Sequence, residues 1–160
     1  MKTIAVIGAS KTFSGYLFKV LSLMEIHLEV FSKYMIKKEN DYNYVAVNSN
    51  TSIKDVLING MYCLINMDLA DCKNQNIDIY GNIITYGLGS KNTVTVSSIK
   101  DKEGFVYCLQ RTLFCGNKIL EPLEIPVKMN FNNDNELYAA MVGITISLIE
   151  GKDINNLCVR

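Results

Sequence analysis

The chain has 160 residues, of which 49% are hydrophobic and 20% charged, and its 16 basic side chains balance its 16 acidic ones. Because domains usually contain about 100–150 residues, this length excludes a large multidomain enzyme within the chain. The balanced charge disfavours a nucleic-acid-binding protein, since such proteins rely on a basic surface.

No apolar run reaches the roughly 20 residues that a membrane-spanning helix needs. The longest one, Ala139–Ile149, is interrupted by Gly143, Thr145 and Ser147. Near the N-terminus, Gly8–Lys11 ends the first apolar run before a signal-peptide core could form. We therefore expect a cytoplasmic protein without a membrane partner.

The five cysteines include no Cys-x-x-Cys pair, and His27 is the only histidine. This composition disfavours a zinc site with thiolate or imidazole ligands. Cys63 and Cys108 lie in apolar, strand-like runs, which predicts buried, reduced thiols that act as small hydrophobic side chains. We expect His27 to be a surface or partly packed residue of a strand.

The first half of the chain alternates between strand-like and helix-like patterns. Lys2–Gly8 is a short β-branched run, apolar residues then recur at helical spacing from Phe13 to Met24, and Leu28–Phe31 forms the next strand-like run. A strand, a helix and a second strand in this order are typical of a parallel sheet with a right-handed crossover. The elements predicted next are a polar loop at Tyr34–Asn43, a strand at Tyr44–Val47, a short helix capped by Ser52 that carries Ile53, Val56 and Leu57 and ends at Asn59-Gly60, and strands at Tyr62–Met67 and Asn82–Tyr86. Five parallel strands in an α/β layer structure are thus predicted.

The pattern of the second half favours antiparallel strands. Apolar and polar residues alternate at Thr93–Val96 and again at Phe105–Leu109. Cys115–Lys118 has the residue types of a tight hairpin turn. We expect these segments to form a meander at one edge of the sheet.

A last strand and a helix complete the predicted elements. Lys118–Val127 suits an edge strand, because Pro122 and Pro126 cannot donate to the ladder of hydrogen bonds. Asn135 is the predicted N-cap of a helix over Glu136–Glu150, and the glycine that follows is a natural helix end.

The connection between the first strand and the first helix, Gly8–Gly15, has features of an anion site. Backbone amides and the positive end of the helix dipole can hold a phosphate there. A dinucleotide-binding loop needs Gly-x-Gly-x-x-Gly, but Ser10 stands at its middle glycine and its last glycine is displaced. A Walker loop ends in Gly-Lys-Ser/Thr, and Lys11-Thr12 supplies this end without the preceding glycine. A plain turn that binds nothing tightly is the third interpretation.

Two segments of the second half share a pattern with one family. Ile83–Leu88 carries Thr-Tyr-Gly at the end of a strand, and Ile125–Ala140 carries a Phe-Asn-x-x-Asn turn that opens a helix. Together with the strands between them, they resemble the central domain of the Mur ligase family, whose members add amino acids to cell-wall precursors. Folylpolyglutamate synthases and cyanophycin synthetases are relatives of that family. The resemblance covers about residues 78–151 and departs from the pattern at Met129, where the family has glycine.

The resemblance implies a phosphate loop in the first half of the chain. Gly8, Ser10, Lys11 and Thr12 correspond to the family's loop, which here is one residue shorter. The resemblance gives Lys11 the role of the phosphate-binding lysine and Thr12 that of the hydroxyl on magnesium. The missing residue redirects both side chains, since such a loop works through the curvature of its backbone.

Other positions of the resemblance concern the nucleotide base and the metal. Asn132 and Asn135 inherit the family's contact with adenine, for which turn formation and helix capping are the alternative. Asn48 stands where the family has a glutamate for a second magnesium ion, and an amide cannot replace that charge. Asp68 is the best remaining acid, although its position favours an exposed loop aspartate. The family's Thr-Asn-x-x-x-Asp-His segment and its carbamylated lysine have no counterpart.

The sequence therefore predicts one α/β domain over residues 1–160, with a mainly parallel Rossmann-like or P-loop-like sheet flanked by helices, an antiparallel β-meander and a C-terminal helix. The resemblance implies a Mur ligase-like central domain without flanking domains, which has lost ATP-dependent ligase activity. Such a domain would be a binding or regulatory module for a nucleotide, a cell-wall precursor, a protein partner or a second copy of itself. One alternative is residual ligation or phosphotransfer with ATP, magnesium and a partner subunit. Another is an NAD(P)-binding protein in which Glu29 or Lys33 reads the ribose.

Overall fold

The computed structural model describes residues 1–32, 35–37, 40–49, 56–70, 77–100, 102–155 and 157–159. Within these ranges the chain forms an α/β structure with two helices and eleven strands. The elements are, in chain order, β1 (Thr3–Ile7), α1 (Lys11–Leu23), β2 (Glu29–Ser32), β3 (Asp41–Val47), β4 (Val56–Asn66), β5 (Ile77–Tyr86), β6 (Val94–Lys100), β7 (Gly104–Leu109), β8 (Leu113–Cys115), β9 (Lys118–Leu120), β10 (Leu123–Met129), α2 (Asp134–Ile149) and β11 (Cys158–Val159).

Nine of the strands form one sheet in the order β11-β10-β7-β6-β5-β4-β3-β1-β2, and β8 and β9 form a separate hairpin. The strands β2, β1, β3, β4 and β5 are parallel to one another, as the sequence predicts. Strand order reverses between β1 and β3, because β2 lies on one side of β1 and the later strands lie on the other. Ligands of open α/β sheets bind beyond the carboxyl ends of the strands at such a reversal.

The meander β6-β7-β10 is antiparallel, which confirms that part of the prediction. The predicted last strand is two strands, because β9 pairs with β8 in the hairpin while β10 pairs with β7. Pro122 lies in the break between them, where no ladder needs its missing N–H. Pro126 lies opposite Val106 of β7, and the strand on the other side of β10 begins to pair only at Lys128.

Both helices contribute to one large core. Helix α2 is buried on all sides from Leu137 to Ser147, so its apolar residues do not form the single stripe of a surface helix. Gly143 allows the two helices to approach, since a Cβ atom there would lie 2.6 Å from Cγ1 of Val20 on α1. A smaller second core, which includes Ala5, Val45 and Cys63, lies on the other face of the sheet.

The prediction of a short helix before Gly60 is wrong for the part of this segment that the structure describes. Strand β4 already begins at Val56, and Asn59 and Gly60 pair with Asp41 and Tyr42 of β3. Asn-Gly is a frequent end of a helix, but here the glycine fits a crowded place in the sheet, because a Cβ atom on it would lie 2.6 Å from Cγ2 of Val45. Tertiary packing thus overrides a local signal. Ser52 and Ile53, the first residues of the predicted helix, lie outside the described residues.

The two cysteines that the sequence places in strands are buried, as expected. Cys63 and Cys108 are buried and reduced. Cys72, Tyr34 and Lys33 lie outside the described residues. Within the described ranges, neither helix has the length and apolar character to cross a membrane.

An ion pair ties the end of α2 to the first strands. Lys2 Nζ lies 2.6 Å from Oε2 of Glu150, and the hydroxyl of Tyr44 on β3 donates a hydrogen bond to the same carboxylate. Burial alone would raise the pKa of Glu150, but the hydrogen bonds from Lys2 and Tyr44 outweigh burial and hold the pKa below its usual value. The ionised carboxylate therefore stabilises the folded chain.

This pair predicts an acid-dependent loss of stability. A carboxyl group whose pKa is lowered by folding contributes stability above its unfolded pKa of about 4.3, and this contribution is lost as the pH falls through the folded value. We expect Glu150→Gln to be less stable than the unchanged protein at pH 6 and to lose less of its remaining stability on acidification. Urea unfolding at a series of pH values measures this, with the exposed Glu121→Gln as the control. Parallel pH profiles for Glu150→Gln and the unchanged protein would contradict the assignment.

Candidate functional site

Polar residues and the Gly8 turn lie together near the carboxyl ends of the parallel strands. Gly8 follows β1, Asn48 follows β3, and Asn66 and Tyr86 are the last residues of β4 and β5. The first turn of α2 reaches the same edge, because Nδ2 of Asn48 donates a hydrogen bond to Oδ1 of Asn135 at 3.3 Å. Two regions of this edge differ in character, namely a closed network of amides and an open groove.

The connection from β1 to α1 contains only Gly8, Ala9 and Ser10. Gly8 has a φ of +67° and packs against the residue after Asn48, since a Cβ atom on Gly8 would lie 2.1 Å from Cβ of Ser49. Ser10 is the N-cap of α1, and its hydroxyl accepts a hydrogen bond from the amide of Phe13 at 3.1 Å. This short turn therefore packs directly on the residue that follows Asn48.

An open groove of about 650 Å³ lies between α1 and the segment that leads into α2. Its lining residues come from one face of α1 and from the end of β10 and the beginning of α2; they are Lys11, Thr12, Gly15, Tyr16, Lys19, Asn130, Asn132 and Glu136. The residues of α1 recur at intervals of three and four, which places their side chains on the same face of the helix. The helix dipole adds a partial positive charge at the start of α1, which lies at one end of the groove.

A hydrogen bond joins the two walls of the groove, and the groove carries side chains of both charges. The hydroxyl of Tyr16 donates to the backbone carbonyl of Asn130, which joins α1 to the end of β10. Burial, with the negative charge of Glu136, raises the pKa of Tyr16 to about 12, so the phenol remains neutral. Nζ of Lys19 lies 5.8 Å from the centre of the Tyr16 ring. Two lysines, Lys11 and Lys19, thus face one glutamate across the groove.

Glu136 is already engaged at the N-terminus of α2. One of its carboxylate oxygens accepts hydrogen bonds from the amide of Asn132 at 2.7 Å and from Nδ2 of Asn132 at 3.2 Å. The N-cap is Asn133, whose Oδ1 accepts from the amide of Glu136 at 3.1 Å. The predicted capping role of Asn135 is therefore wrong, because the helix begins two residues earlier, at Asp134, and Asn135 lies within its first turn.

The closed part of the edge is a chain of buried amides. Asn48 and Asn66 are only 3% and 1% exposed. Oδ1 of Asn48 accepts from Nδ2 of Asn66 at 2.7 Å and from the hydroxyl of Tyr86 at 3.1 Å. Oδ1 of Asn66 accepts from the backbone amides of Asp68 at 2.9 Å and Leu69 at 3.3 Å. With the bond from Asn48 to Asn135, the network joins β3, β4, β5 and α2.

These bonds leave Asn48 no free oxygen or nitrogen toward a metal ion. Its amide carries no charge, and both of its polar atoms have partners inside the protein. Asn48 therefore does not fit the second magnesium site that the family resemblance implies. Among the described residues, no three histidine, cysteine or acidic side chains group in a way that could hold a metal.

Asp68 is exposed but bound to its neighbours. Oδ2 accepts from the amide of Leu88 at 2.6 Å and from the hydroxyl of Tyr138 on α2 at 2.9 Å. Burial and the hydrogen bond to Asp68 raise the pKa of Tyr138 above its usual range. The carboxylate thus joins the loop after β4 to the loop after β5 and to α2. This structural use agrees with the expectation of a loop aspartate.

The predicted site residues divide between the two regions. Lys11, Thr12 and Asn132 line the groove, whereas Gly8, Ser10 and Asn135 take part in packing, capping and the amide network. The sequence did not single out Tyr16, Lys19 or Glu136. The sequence could have identified Tyr16 and Lys19, because both follow Thr12 at the spacing that places side chains on one face of a helix.

Glu29 does not fit the role that the NAD(P) alternative gives it. It is the first residue of β2 and pairs with Thr3 at the amino end of β1. A residue that reads a ribose must lie at the carboxyl end of this strand, on the side of the Gly8 turn. Glu29 is at the opposite end. Lys33, the other candidate, lies outside the described residues. His27 is exposed and precedes β2 instead of lying within a strand.

In comparisons with known proteins, the sequence matches no protein-family model and no curated protein.

Proposed function

We propose that this chain is a ligand-binding module related to the central domain of the Mur ligases, which binds a nucleotide or another phosphorylated small molecule and does not ligate. The observation that carries the proposal is the position of Lys11, Thr12 and Asn132 on one groove. The resemblance assigns Lys11 to phosphate, Thr12 to the magnesium ion beside the phosphate and Asn132 to adenine, although about 120 residues separate Asn132 from the other two in the sequence. One nucleotide can contact all three.

The chemistry of the groove supports an anionic ligand. Lys11 and Lys19 provide two positive charges, Thr12 a hydroxyl, and the N-terminus of α1 the positive end of a helix dipole. The single carboxylate, that of Glu136, already accepts hydrogen bonds from Asn132. Tyr16 fixes the distance between the two walls, because its hydroxyl donates to the carbonyl of Asn130. These residues favour a nucleotide whose phosphate lies near α1 and whose base lies near Asn132.

The buried amides support binding without phosphoryl transfer. Transfer from ATP requires cations held close to the reacting phosphate and acidic side chains that hold those cations. Asn48, in the place of the acid, is neutral and fully hydrogen-bonded, and Asp68 is bound by Leu88 and Tyr138. Binding a phosphate needs only the groove, so the loss of the acids removes catalysis before it removes affinity. A regulatory role linked to cell-wall precursors follows from the resemblance alone.

Nucleotide addition should stabilise the protein, and the effect should depend on Lys11. A ligand at a hundredfold excess over its Kd stabilises a folded protein by about 2.7 kcal/mol, which corresponds to roughly 5–10 °C in Tm for a domain of this size. We expect ADP to raise Tm without magnesium, and Lys11→Glu to weaken binding at least about tenfold because it places a negative charge beside the phosphate. Thermal shift and calorimetric titration measure both quantities. Lys100→Glu, at the end of β6 and outside the groove, is the matched control.

Parallel titrations with ATP and magnesium, NAD and NADP separate the alternatives. Magnesium-dependent ATP hydrolysis would replace the proposal with residual ligase or phosphotransfer chemistry. A shift with NAD or NADP but not with ADP would favour the dinucleotide-binding alternative. The proposal fails if no nucleotide shifts Tm at millimolar concentration, or if Lys11→Glu and Lys100→Glu weaken binding equally.

A further inference from the structure

Strand β5 has one long edge that the rest of the described chain leaves open. On one side β5 pairs with β4 from Ile77 to Tyr86. On its other side, within the described ranges, the only paired residue is Tyr86, which lies opposite Val94 of β6. As far as the described residues go, the N–H and C=O groups that point away from β4 before Tyr86 have no strand partner and can pair with another strand. The two outermost strands of the sheet, β2 and β11, have only four and two residues, so neither offers an edge of this length.

The surface beside this edge is apolar. Tyr80 and Ile83 on β5 are 61% and 55% exposed, and Met61 on the neighbouring strand is 56% exposed. Nδ2 of Asn82 donates to the carbonyl of Met61 at 3.1 Å, so this side chain is held within the sheet. Edge strands of soluble proteins usually carry lysine or proline, which prevents pairing with other chains. Strand β5 has neither, and Asp78 is its only charged residue.

We propose that β5 pairs antiparallel with β5 of a second copy of this chain and thereby forms a two-fold symmetric dimer. The open edge requires an extended partner of low charge, and β5 itself has both properties. Two-fold symmetry is the commonest arrangement of identical subunits, and it uses the same edge of each copy once, so the assembly closes at two chains. The dimer is independent of the groove and of the proposed ligand.

The single charge of β5 favours the antiparallel orientation. If the two-fold axis passes near Gly81, the two Asp78 residues lie six positions apart along the paired strands, or about 20 Å at roughly 3.4 Å per residue. This separation exceeds the Debye length of about 8 Å at physiological salt. A parallel alignment in register would instead place the two carboxylates side by side, where like charges repel. Charge therefore selects one orientation, while Tyr80 and Ile83 supply apolar contact across the axis.

Sedimentation equilibrium of the full chain at a range of concentrations tests the dimer. We expect Ile83→Lys to raise the dimer dissociation constant at least about tenfold, because a lysine on the edge must be covered or displaced when the second strand pairs. Ile119→Lys is the matched control, since Ile119 is also an isoleucine on a strand and is 56% exposed, but it belongs to the separate β8–β9 hairpin. Both positions are exposed, so the two variants should retain the fold, which far-UV circular dichroism measures.

Each possible result of the sedimentation experiment either supports or overturns the dimer. A dimer that dissociates in Ile83→Lys and persists in Ile119→Lys supports pairing through β5. A protein that is monomeric at every concentration overturns the proposal, as does a dimer that both variants weaken equally or that neither weakens. Assembly beyond two chains would also overturn it, because the two-fold pairing leaves no second β5 edge. ADP affinity is measured on the same variants, so that a failure of the dimer can be distinguished from a failure of the groove to bind its ligand.

Discussion

Replacing Gly8 with alanine is expected to destabilise the protein by about 3 kcal/mol, as measured by urea unfolding. Two physical effects add. A non-glycine residue at a φ of +67° costs about 1 kcal/mol. The new Cβ atom would also lie 2.1 Å from Cβ of Ser49, and relief of such overlap in a packed site costs about 1–3 kcal/mol. Since domains have a net stability of only about 5–15 kcal/mol, this is a large fraction.

Two further variants distinguish the effects. Gly116→Ala is the matched control, because Gly116 has a φ of +62° but no atom within 4 Å of its ideal Cβ position. It should therefore lose only the conformational part, about 1 kcal/mol. Adding Ser49→Gly to Gly8→Ala removes the overlapping Cβ and should restore part of the stability. Equal losses for Gly8→Ala and Gly116→Ala would show that the turn does not pack against the loop after β3.

The second large effect is expected for Asn48→Asp, which places a carboxylate in the buried amide network. The new oxygen would face Oδ1 of Asn135, which now accepts a hydrogen bond from Nδ2 of Asn48. An acceptor then meets an acceptor, at a position that is 3% exposed. The other oxygen would keep the donors Asn66 and Tyr86, but the oxygen that faces Asn135 has none. Because an unsatisfied buried acceptor costs about 1–3 kcal/mol, and more when it is charged, we expect a loss of about 3 kcal/mol at pH 7.

The pH dependence of this loss has a definite sign. Burial raises the pKa of a carboxyl group, and the folded chain then binds its proton more readily than the unfolded chain does. The difference in stability between Asn48→Asp and the unchanged protein should therefore shrink as the pH falls from 7 toward 4. Asn117→Asp, in the exposed turn of the hairpin, should show almost no difference at either pH. If Asn48→Asp were as stable as the unchanged protein at pH 7, the amide network would tolerate a charged side chain, which would contradict this prediction.

Local sequence patterns predicted the elements whose signals are periodic. The parallel strands, the meander and both helices follow from apolar spacing and turn residues, which act over a few positions. The first part of β4 could not be predicted in this way. Its Asn59-Gly60 pair has the composition of a helix end, while its strand conformation depends on packing against Val45 and pairing with β3.

The N-terminus of α2 shows a second limit. Asn132, Asn133 and Asn135 are all suitable caps by composition, so the sequence alone does not choose among them. The choice depends on where the helix meets the sheet, since Asn135 is held by Asn48 from β3. Only the α1 side of the groove could be predicted, because spacing along one helix decides which side chains share a face. The residues of the other wall could not be predicted, because their position depends on where β10 ends in the folded chain.

The burial of α2 on every side has a consequence for how the chain acquires its structure during synthesis. Strands β1 to β7 and β10 all precede α2 in the sequence, yet the large core forms around this helix. A ribosome makes about 5–20 residues per second, so these strands emerge well before the helix that fills the space beside them. Until then, their apolar faces and the open edge of β5 are exposed together. The emergence of α2 thus ends the period in which the apolar faces of the earlier strands are most at risk of aggregation.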